Sequence, residues 1–294
     1  YRSYYDAYNR SRLLYETQLE DEAMNLLRKA SEMGSLIVME QAKDILDKAK
    51  LKNVAEDWRQ RVFELAEALF QSTRMQLSVK KYYAIAVRRG ANLDLISYPL
   101  NDRLWLEEQF KRIAQINIEQ DRLNEIEKIT NWKNPGPGGF YDDLGDLGNQ
   151  PHLVLEESYK DAPSFYHSPF VGFALSRRSS RNMNLRVSWG RYMQTLYGHP
   201  LKMHYSNLDK TAQYEVKVTY ISRTPIRLVA NEDMMVHDYM RRARDAVIKP
   251  VTFDIPLEAT KDGDLTLKWN MESGRGGTGR GCQIAEVWLM KKQD

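Results

Sequence analysis

The apolar positions of this chain change period once, near residue 130. Upstream of that point they recur three and four residues apart, the spacing that lines one face of a helix. Ala23, Leu26, Leu27, Ala30 and Met33 form one stripe, which stops at Gly34. Met39, Ala42, Ile45, Leu46 and Ala49 form a second. Trp58, Val62, Leu65 and Leu69, flanked by Phe63, Ala66 and Phe70, predict a third helix with a wide buried face. Asn53, with Glu56 three residues on, predicts its N-terminal cap. After Tyr98-Pro99, the run Leu106, Phe110, Ile113, Ile116, Leu123 and Ile126 predicts a fourth helix. Short connections between amphipathic helices imply antiparallel neighbours in a bundle.

Downstream the period becomes two. Tyr214, Val216, Val218 and Tyr220 alternate with Glu215, Lys217 and Thr219, as in a half-buried strand. Short runs of the same kind are Leu153–Leu155, Leu185–Trp189, Ile226–Val229, Val251–Ile255, Leu265–Trp269 and Ile284–Leu289. Turn-forming residues separate them, and no helical crossover joins them, which predicts an antiparallel β-sandwich of jelly-roll type. The expectation is an α+β chain of two domains: a helical bundle over 1–130, a structured junction over 131–150, and a sandwich over 151–294.

Composition sharpens the same division. Of 16 Gly and 10 Pro, only Gly34, Gly90 and Pro99 precede residue 131, and all five His follow it. Residues 1–130 carry 21 basic and 21 acidic side chains, so the β part holds the whole net charge of +3. One cysteine, Cys282, excludes an internal disulfide, a Cys-rich zinc site and a CxxC redox pair. No apolar run approaches the ~20 residues of a membrane span. The chain opens at Tyr1, without Met and inside a helical pattern, as a processed protein or a piece of a longer one would.

Three stretches could carry chemistry. The first is the junction 131–149. Its Trp132 and Tyr141, aromatic residues on a loop, suit stacking against a sugar ring. Its Asp142, Asp143, Asp146 and Asn149 offer hard oxygen ligands suited to Ca²⁺, although not at EF-hand spacing. A strap between domains, with its Asp residues capping turns, accounts for the same composition. The second is the Gly-rich run 273–283. It lacks the Gly-Lys-Ser/Thr and following helix of a phosphate loop, and reads as a hairpin projecting Arg275 and Arg280 toward a carboxylate or sugar hydroxyls. The third is the basic residues Arg177, Arg178, Arg181, Arg186 and Arg191, with Arg241, Arg242 and Arg244. No nucleic-acid-binding motif accompanies them, and +3 over the chain is a modest field, which argues against a nucleic acid partner. Neither a two-His zinc spacing nor GxSxG occurs, and no catalytic residue can be named from the pattern.

Several segments together carry a resemblance: Trp132, Asn134-Pro-Gly-Pro-Gly-Gly-Phe-Tyr-Asp-Asp-Leu-Gly145, Gln150-Pro-His-Leu-Val154 and Gly279-Arg-Gly-Cys-Gln-Ile-Ala-Glu-Val-Trp-Leu289. With Ala91-Asn-Leu-Asp94 and Pro99-Leu-Asn-Asp-Arg-Leu-Trp-Leu106, the chain resembles the C-terminal region of large bacterial glycoside-hydrolase-like proteins. In those a helical segment precedes a jelly-roll module resembling carbohydrate-binding domains. The resemblance implies a polysaccharide or oligosaccharide partner, a catalytic domain upstream, and an extracellular or periplasmic location. It supplies no catalytic residues. Three functions follow as expectations: a non-catalytic accessory region that binds or positions glycan, a glycoside hydrolase or lyase using the junction carboxylates, and a structural protein-interaction module.

Overall fold

The computed structural model describes residues 1–155, 169–173, 185–243, 247–272, 274 and 279–292. Glu156, Glu157, His167, Arg177, Arg178, Arg181, Arg244 and Arg275 lie outside the described residues. The described chain forms two compact units. Residues 1–132 and 185–187 belong to one, and the remainder to the other. Helices fill the first and two antiparallel sheets the second, the α+β two-domain arrangement expected.

In the helical unit, α1 spans Arg2–Leu27, α2 Ala30–Met33, α3 Ser35–Leu51, α4 Glu56–Thr73 and α5 Val79–Tyr82. Helices α6 (Arg103–Ala114) and α7 (Glu119–Thr130) follow. Gly34 sits at φ 91°, a backbone state that side chains disfavour, and lets α2 turn into α3. The first two predicted stripes meet: Ala23, Leu27 and Ala30 share a core with Val38, Met39, Ala42 and Leu46, joined by Leu106, Phe110, Ile113 and Ile126. Ala23 and Ala42 are fully buried, and their small side chains allow close approach of α1 and α3. The N-terminal half of α1 serves a second cluster, in which Tyr8 packs with Val62, Ala66, Tyr82 and Ile96.

Two local expectations are corrected. The predicted fourth helix is two helices, broken over 115–118. The Arg122 side chain holds the break by donating to the carbonyl oxygens of Ile116 (2.5 Å) and Asn117 (3.2 Å), groups that a continuous helix would have bonded internally. At the start of α4 the cap residue is Ala55, in the left-handed region at φ 53°, and not Asn53, whose amide instead reaches the Glu56 carboxylate at 3.4 Å.

Among the described residues the sandwich has ten strands: β1 (Phe140–Asp143), β2 (Phe170–Phe173), β3 (Arg191–Leu196), β4 (Leu201–Tyr205), β5 (Tyr214–Tyr220), β6 (Ile226–Ala230), β7 (Met234–Met240), β8 (Val251–Asp254), β9 (Leu265–Met271) and β10 (Arg280–Lys291). One sheet runs β2-β3-β10-β5-β8, with β1 also on β10; the other runs β4-β9-β6-β7. β10 is the spine of the first sheet. It pairs with β3 along Arg280–Ile284, with β1 along Glu286–Leu289, and with β5 on its other edge. Alternation places Leu265, Leu267, Trp269 and Met271 of β9 inside, opposite Tyr214, Val216, Val218 and Tyr220 of β5, in one continuous core.

Two further sequence expectations change. Leu185–Trp189 contains a helical turn, α8 (Val187–Gly190), where a strand was predicted. The backbone N–H of Val187 is taken by the Asp102 carboxylate at 2.5 Å, and Arg186 pairs with the same group at 3.2 Å, so this stretch is drawn off any ladder. Leu153–Leu155 joins β4 by a single bridge, Leu153 to Met203. Gly145 explains how β1 and β3 share one edge of β10. A Cβ there would stand 2.6 Å from the Arg191 carbonyl oxygen, so only glycine lets the end of β1 abut the start of β3.

Candidate functional site

The junction residues are now placed one by one. Trp132 belongs to the helical unit, where its ring meets Trp105 edge-on at 5.5 Å and the Arg186 guanidinium lies 4.6 Å from its centre. Tyr141 and Arg280 belong to the sandwich. Tyr141 stands opposite Trp288 on β10, eight residues along the strand from Arg280, which is roughly 26 Å at strand rise. The structure therefore does not bring those two together.

The proposed calcium ligands also separate, because neighbours on a strand face opposite ways. Asp142 points into the sandwich and is fully buried. It accepts from Tyr205 Oη (3.2 Å), from the His152 backbone N–H (3.3 Å), and lies 3.0 Å from His152 Nδ1. Asp143 faces outward and accepts from the Gly145 N–H at 3.1 Å. Asp146 accepts from Gly148 N–H and from the Asn149 side-chain amide, closing its own turn. Among the described residues no group of three or more His, Cys, Asp or Glu is arranged to hold a metal. What these side chains do together is tie the junction to the sandwich: Asp142 fixes the chain at His152, and the next two carboxylates shape the turns between.

The outward face of β1 carries chemistry that the pattern did not reveal. Asp143 stands directly opposite Glu286 on β10. Glu286 is fully buried and accepts from Trp189 Nε1 (2.6 Å), Tyr141 Oη (3.0 Å) and Thr219 Oγ1 (3.3 Å). Burial, and then the Glu286 carboxylate, push the Asp143 carboxyl up to about 6, against the opposing pull of Gly145, Arg191 and Lys133. The Trp288 ring beside them is contacted by Tyr141 at 5.1 Å and capped by Lys217 Nζ at 4.3 Å. Glu286 could not be found from sequence, since its partners lie on three separate segments, β1, α8 and β5.

The strand registers gather four connections at one end of the sandwich, whose described residues are 197–200, 221–225, 241–243 with 247–250, and 272, 274 and 279. Leu196 faces Arg280, Val218 faces Val251, and Ile226 faces both Met240 and Met271. A cleft of about 140 Å³ opens there. Tyr220, Ile226, Met240 and Val251 give it apolar walls, while Ser222, Thr224, Arg242 and Lys249 supply hydroxyls and positive charge. The floor is locked. Trp269 Nε1 donates to Tyr220 Oη at 3.0 Å, and Tyr220 Oη lies 2.6 Å from His237 Nε2. His237 Nδ1 sits 2.8 Å from the Asp238 carbonyl oxygen, which requires the proton on Nδ1 and leaves Nε2 to accept from the tyrosine. Burial holds the His237 pKa below its ordinary value, consistent with that neutral form.

At the same end of the sandwich, Tyr197 is 55% exposed, at φ 52°, with its ring against Gly279 and its N–H donating to the Gly279 carbonyl oxygen at 2.8 Å. Arg280 follows, exposed. The described residues of the four loops bear Arg223, Arg241, Arg242 and Lys249 against one acid, Glu272. Residues far apart in sequence, Arg241 and Arg242 on one side and Gly279 and Arg280 on the other, thus lie at the same end. Cys282, just inside it, is buried, and burial pushes its thiol up to about 12, so it is no nucleophile.

No protein-family model and no curated protein matches the chain. Among solved structures it is similar to a family 35 carbohydrate binding module from an environmental isolate, at 18% identity and TM-score 0.25 over 34% of this chain and 72% of that one. Tandem CBM51 modules of a family 98 glycoside hydrolase from Streptococcus pneumoniae are similar at 15% identity and TM-score 0.31, over 54% of this chain and 49% of that one. A family GH115 4-O-methyl-alpha-glucuronidase is similar at 11% identity and TM-score 0.30, over 93% of this chain and 34% of that one. At these values the likenesses decide neither the family nor the chemistry of this chain. Among the described residues no helix is long and apolar enough to cross a membrane.

Proposed function

We propose that the β-sandwich is a glycan-binding unit that takes an acidic oligosaccharide at its basic loop end, as a non-catalytic accessory part of a polysaccharide-processing protein. The observation that carries this reading is the cleft itself. It joins apolar walls, two hydroxyls and two cations in one opening, and the exposed ring of Tyr197 stands on a loop at the same end of the sandwich. A sugar ring has an apolar face to lay on such walls and hydroxyls to bond at the rim, and a carboxylate on it would meet Arg242 or Lys249. In this reading the chain works beside a catalytic domain, at an extracellular or periplasmic location. Affinity electrophoresis tests it. The protein should be retarded in gels containing an acidic polysaccharide, and Arg242→Ala with Lys249→Ala should weaken retardation about tenfold or more, as expected for lost charged hydrogen bonds. Migration unchanged by any polysaccharide would sink the reading.

One observation favours a second reading, an enzyme of the glycoside hydrolase or lyase class. Burial and the Glu286 carboxylate push the Asp143 carboxyl up to about 6, so it could hold a proton beside a second carboxylate, the pairing that glycosidases use. Turnover of an oligosaccharide panel that disappears in Asp143→Asn would establish it; absence of turnover in the unaltered protein removes it.

A further inference from the structure

A cavity of about 270 Å³ lies wholly within the helical unit, between α1, the end of α3, the start of α4 and the start of α6. Its lining is mostly polar and strongly cationic: Arg12, Lys50, Lys52, Arg59 and Arg103. Glu16 is the one carboxylate in that lining. It is already engaged, with Oε1 accepting from Arg12 at 2.5 Å and Oε2 accepting from the Leu100 N–H at 2.7 Å. Arg12 also donates to the carbonyl oxygens of Ile96 and Tyr98. Lys50 is held by Asp47 and Glu107 from outside the cavity.

The other three cations are not matched in this way. Lys52 rests over the Tyr15 ring at 4.9 Å, and Arg59 over the Phe63 ring at 4.9 Å; neither forms an ion pair among the described residues. Arg103 is 91% buried, yet its Nε and Nη1 make no hydrogen bond. Its carboxylate neighbour, Asp47, stands 3.6 Å away, beyond bonding reach. Five cations against the three carboxylates that engage them, Glu16, Asp47 and Glu107, leave two positive charges around an open space. A buried guanidinium with two nitrogens lacking acceptors is costly unless a ligand supplies them.

We propose that this cavity is a second binding site, for a small molecule bearing a tetrahedral dianion, a phosphate or sulfate group. Two surplus charges match one dianion, and guanidinium forks suit its oxygens. The cavity offers little apolar surface on which a neutral sugar could stack. Its volume falls just below the ~300–1,000 Å³ of ordinary ligand pockets, so a compact ligand fits and a drug-sized one does not. The site shares no residue with the sandwich cleft and does not depend on glycan binding there.

The test is isothermal titration of the full chain with inorganic phosphate and, separately, inorganic sulfate, with chloride at matched ionic strength as reference. One saturable site is expected for at least one of the two anions and none for chloride. Which anion binds tells a phosphorylated from a sulfated ligand. Lys52→Ala combined with Arg59→Ala should weaken the affinity about tenfold or more, and Lys52→Glu should abolish binding. Lys52 is exposed and Arg59 half-exposed, so these variants keep the fold, which circular dichroism confirms. No saturable heat with either anion overturns the proposal. So does binding that survives Lys52→Ala with Arg59→Ala but is lost in Arg242→Ala, because the anion would then sit at the sandwich.

Discussion

Replacing Asp143 by Asn removes a carboxyl that the fold holds in an unfavourable place. Its pKa rises from 3.8 to about 6, through burial first and the Glu286 carboxylate second. At about 1.36 kcal/mol per pKa unit, that shift corresponds to roughly 3 kcal/mol; because Asp143 keeps some solvent contact, about 1–3 kcal/mol is the working range. Asn retains the oxygen that accepts from Gly145, so the turn survives. The sign follows from linkage. Below pH 3.8 the carboxyl is protonated in both states, and the folded chain bears no penalty. Between 3.8 and about 6 the unfolded chain loses its proton first, so wild-type stability falls as pH rises, and the deficit is complete above about 6. Asp143→Asn should therefore be more stable than wild type at pH 7.5 by about 1–3 kcal/mol, with the gap closing toward acid. Denaturant unfolding followed by tryptophan fluorescence includes the sandwich through Trp189, which bonds Glu286, and Trp288, which packs beside Tyr141; Trp58, Trp105 and Trp132 report the helical unit in both proteins alike. A difference between the two proteins that stays flat from acid to neutral pH, or a variant less stable at pH 7.5, would refute the reasoning.

Other expectations concern the same unit. Glu286→Gln removes the negative charge beside Asp143, so an NMR titration of Asp143 should move down from about 6 toward the ordinary carboxylate range. Gly145→Ala places a Cβ 2.6 Å from the Arg191 carbonyl oxygen, and denaturation should show a loss of about 1–3 kcal/mol as β1 is forced from β3. Tyr220→Phe leaves the Trp269 N–H without its acceptor in the core, which should cost about 1–3 kcal/mol in the same assay. It also frees the floor of the cleft, so glycan retardation should weaken even though no cation has been removed.

The change of period near residue 130 was enough to divide helix from sheet, because both periods report one-sided burial. Stripes such as Ala23 to Ala30 and alternations such as Tyr214 to Tyr220 went to the cores they implied. β7 was not legible, since Met234–Met240 is an edge strand with no fully buried residue and hence no alternation. β1 was hidden by its Gly- and Asp-rich surroundings; its pairing depends on β10, nearly 150 residues later. The site divided the same way. Arg280 stands out in the sequence by its Gly-rich setting and lies at the loop end, whereas Arg275 falls outside the described residues. Trp132 and the four oxygen ligands drew notice through local composition, but strand alternation turned Asp142 inward and Asp143 outward. The cleft is built from β5, β6, β7 and β8, and only their registers bring Tyr220, Arg242 and Lys249 to one place. The cavity in the helical unit is equally non-local, joining residues from Arg12 to Arg103.

Amide hydrogen exchange of the full chain, with and without an acidic oligosaccharide, tests the central claim most directly because it locates the ligand. Slower exchange is expected at 197–200, 221–225 and 241–243, around the cleft, with the helices and β1 unchanged. Protection confined to β1 and the Glu286 stretch of β10, or no protection anywhere, would contradict a glycan site at the loop end of the sandwich.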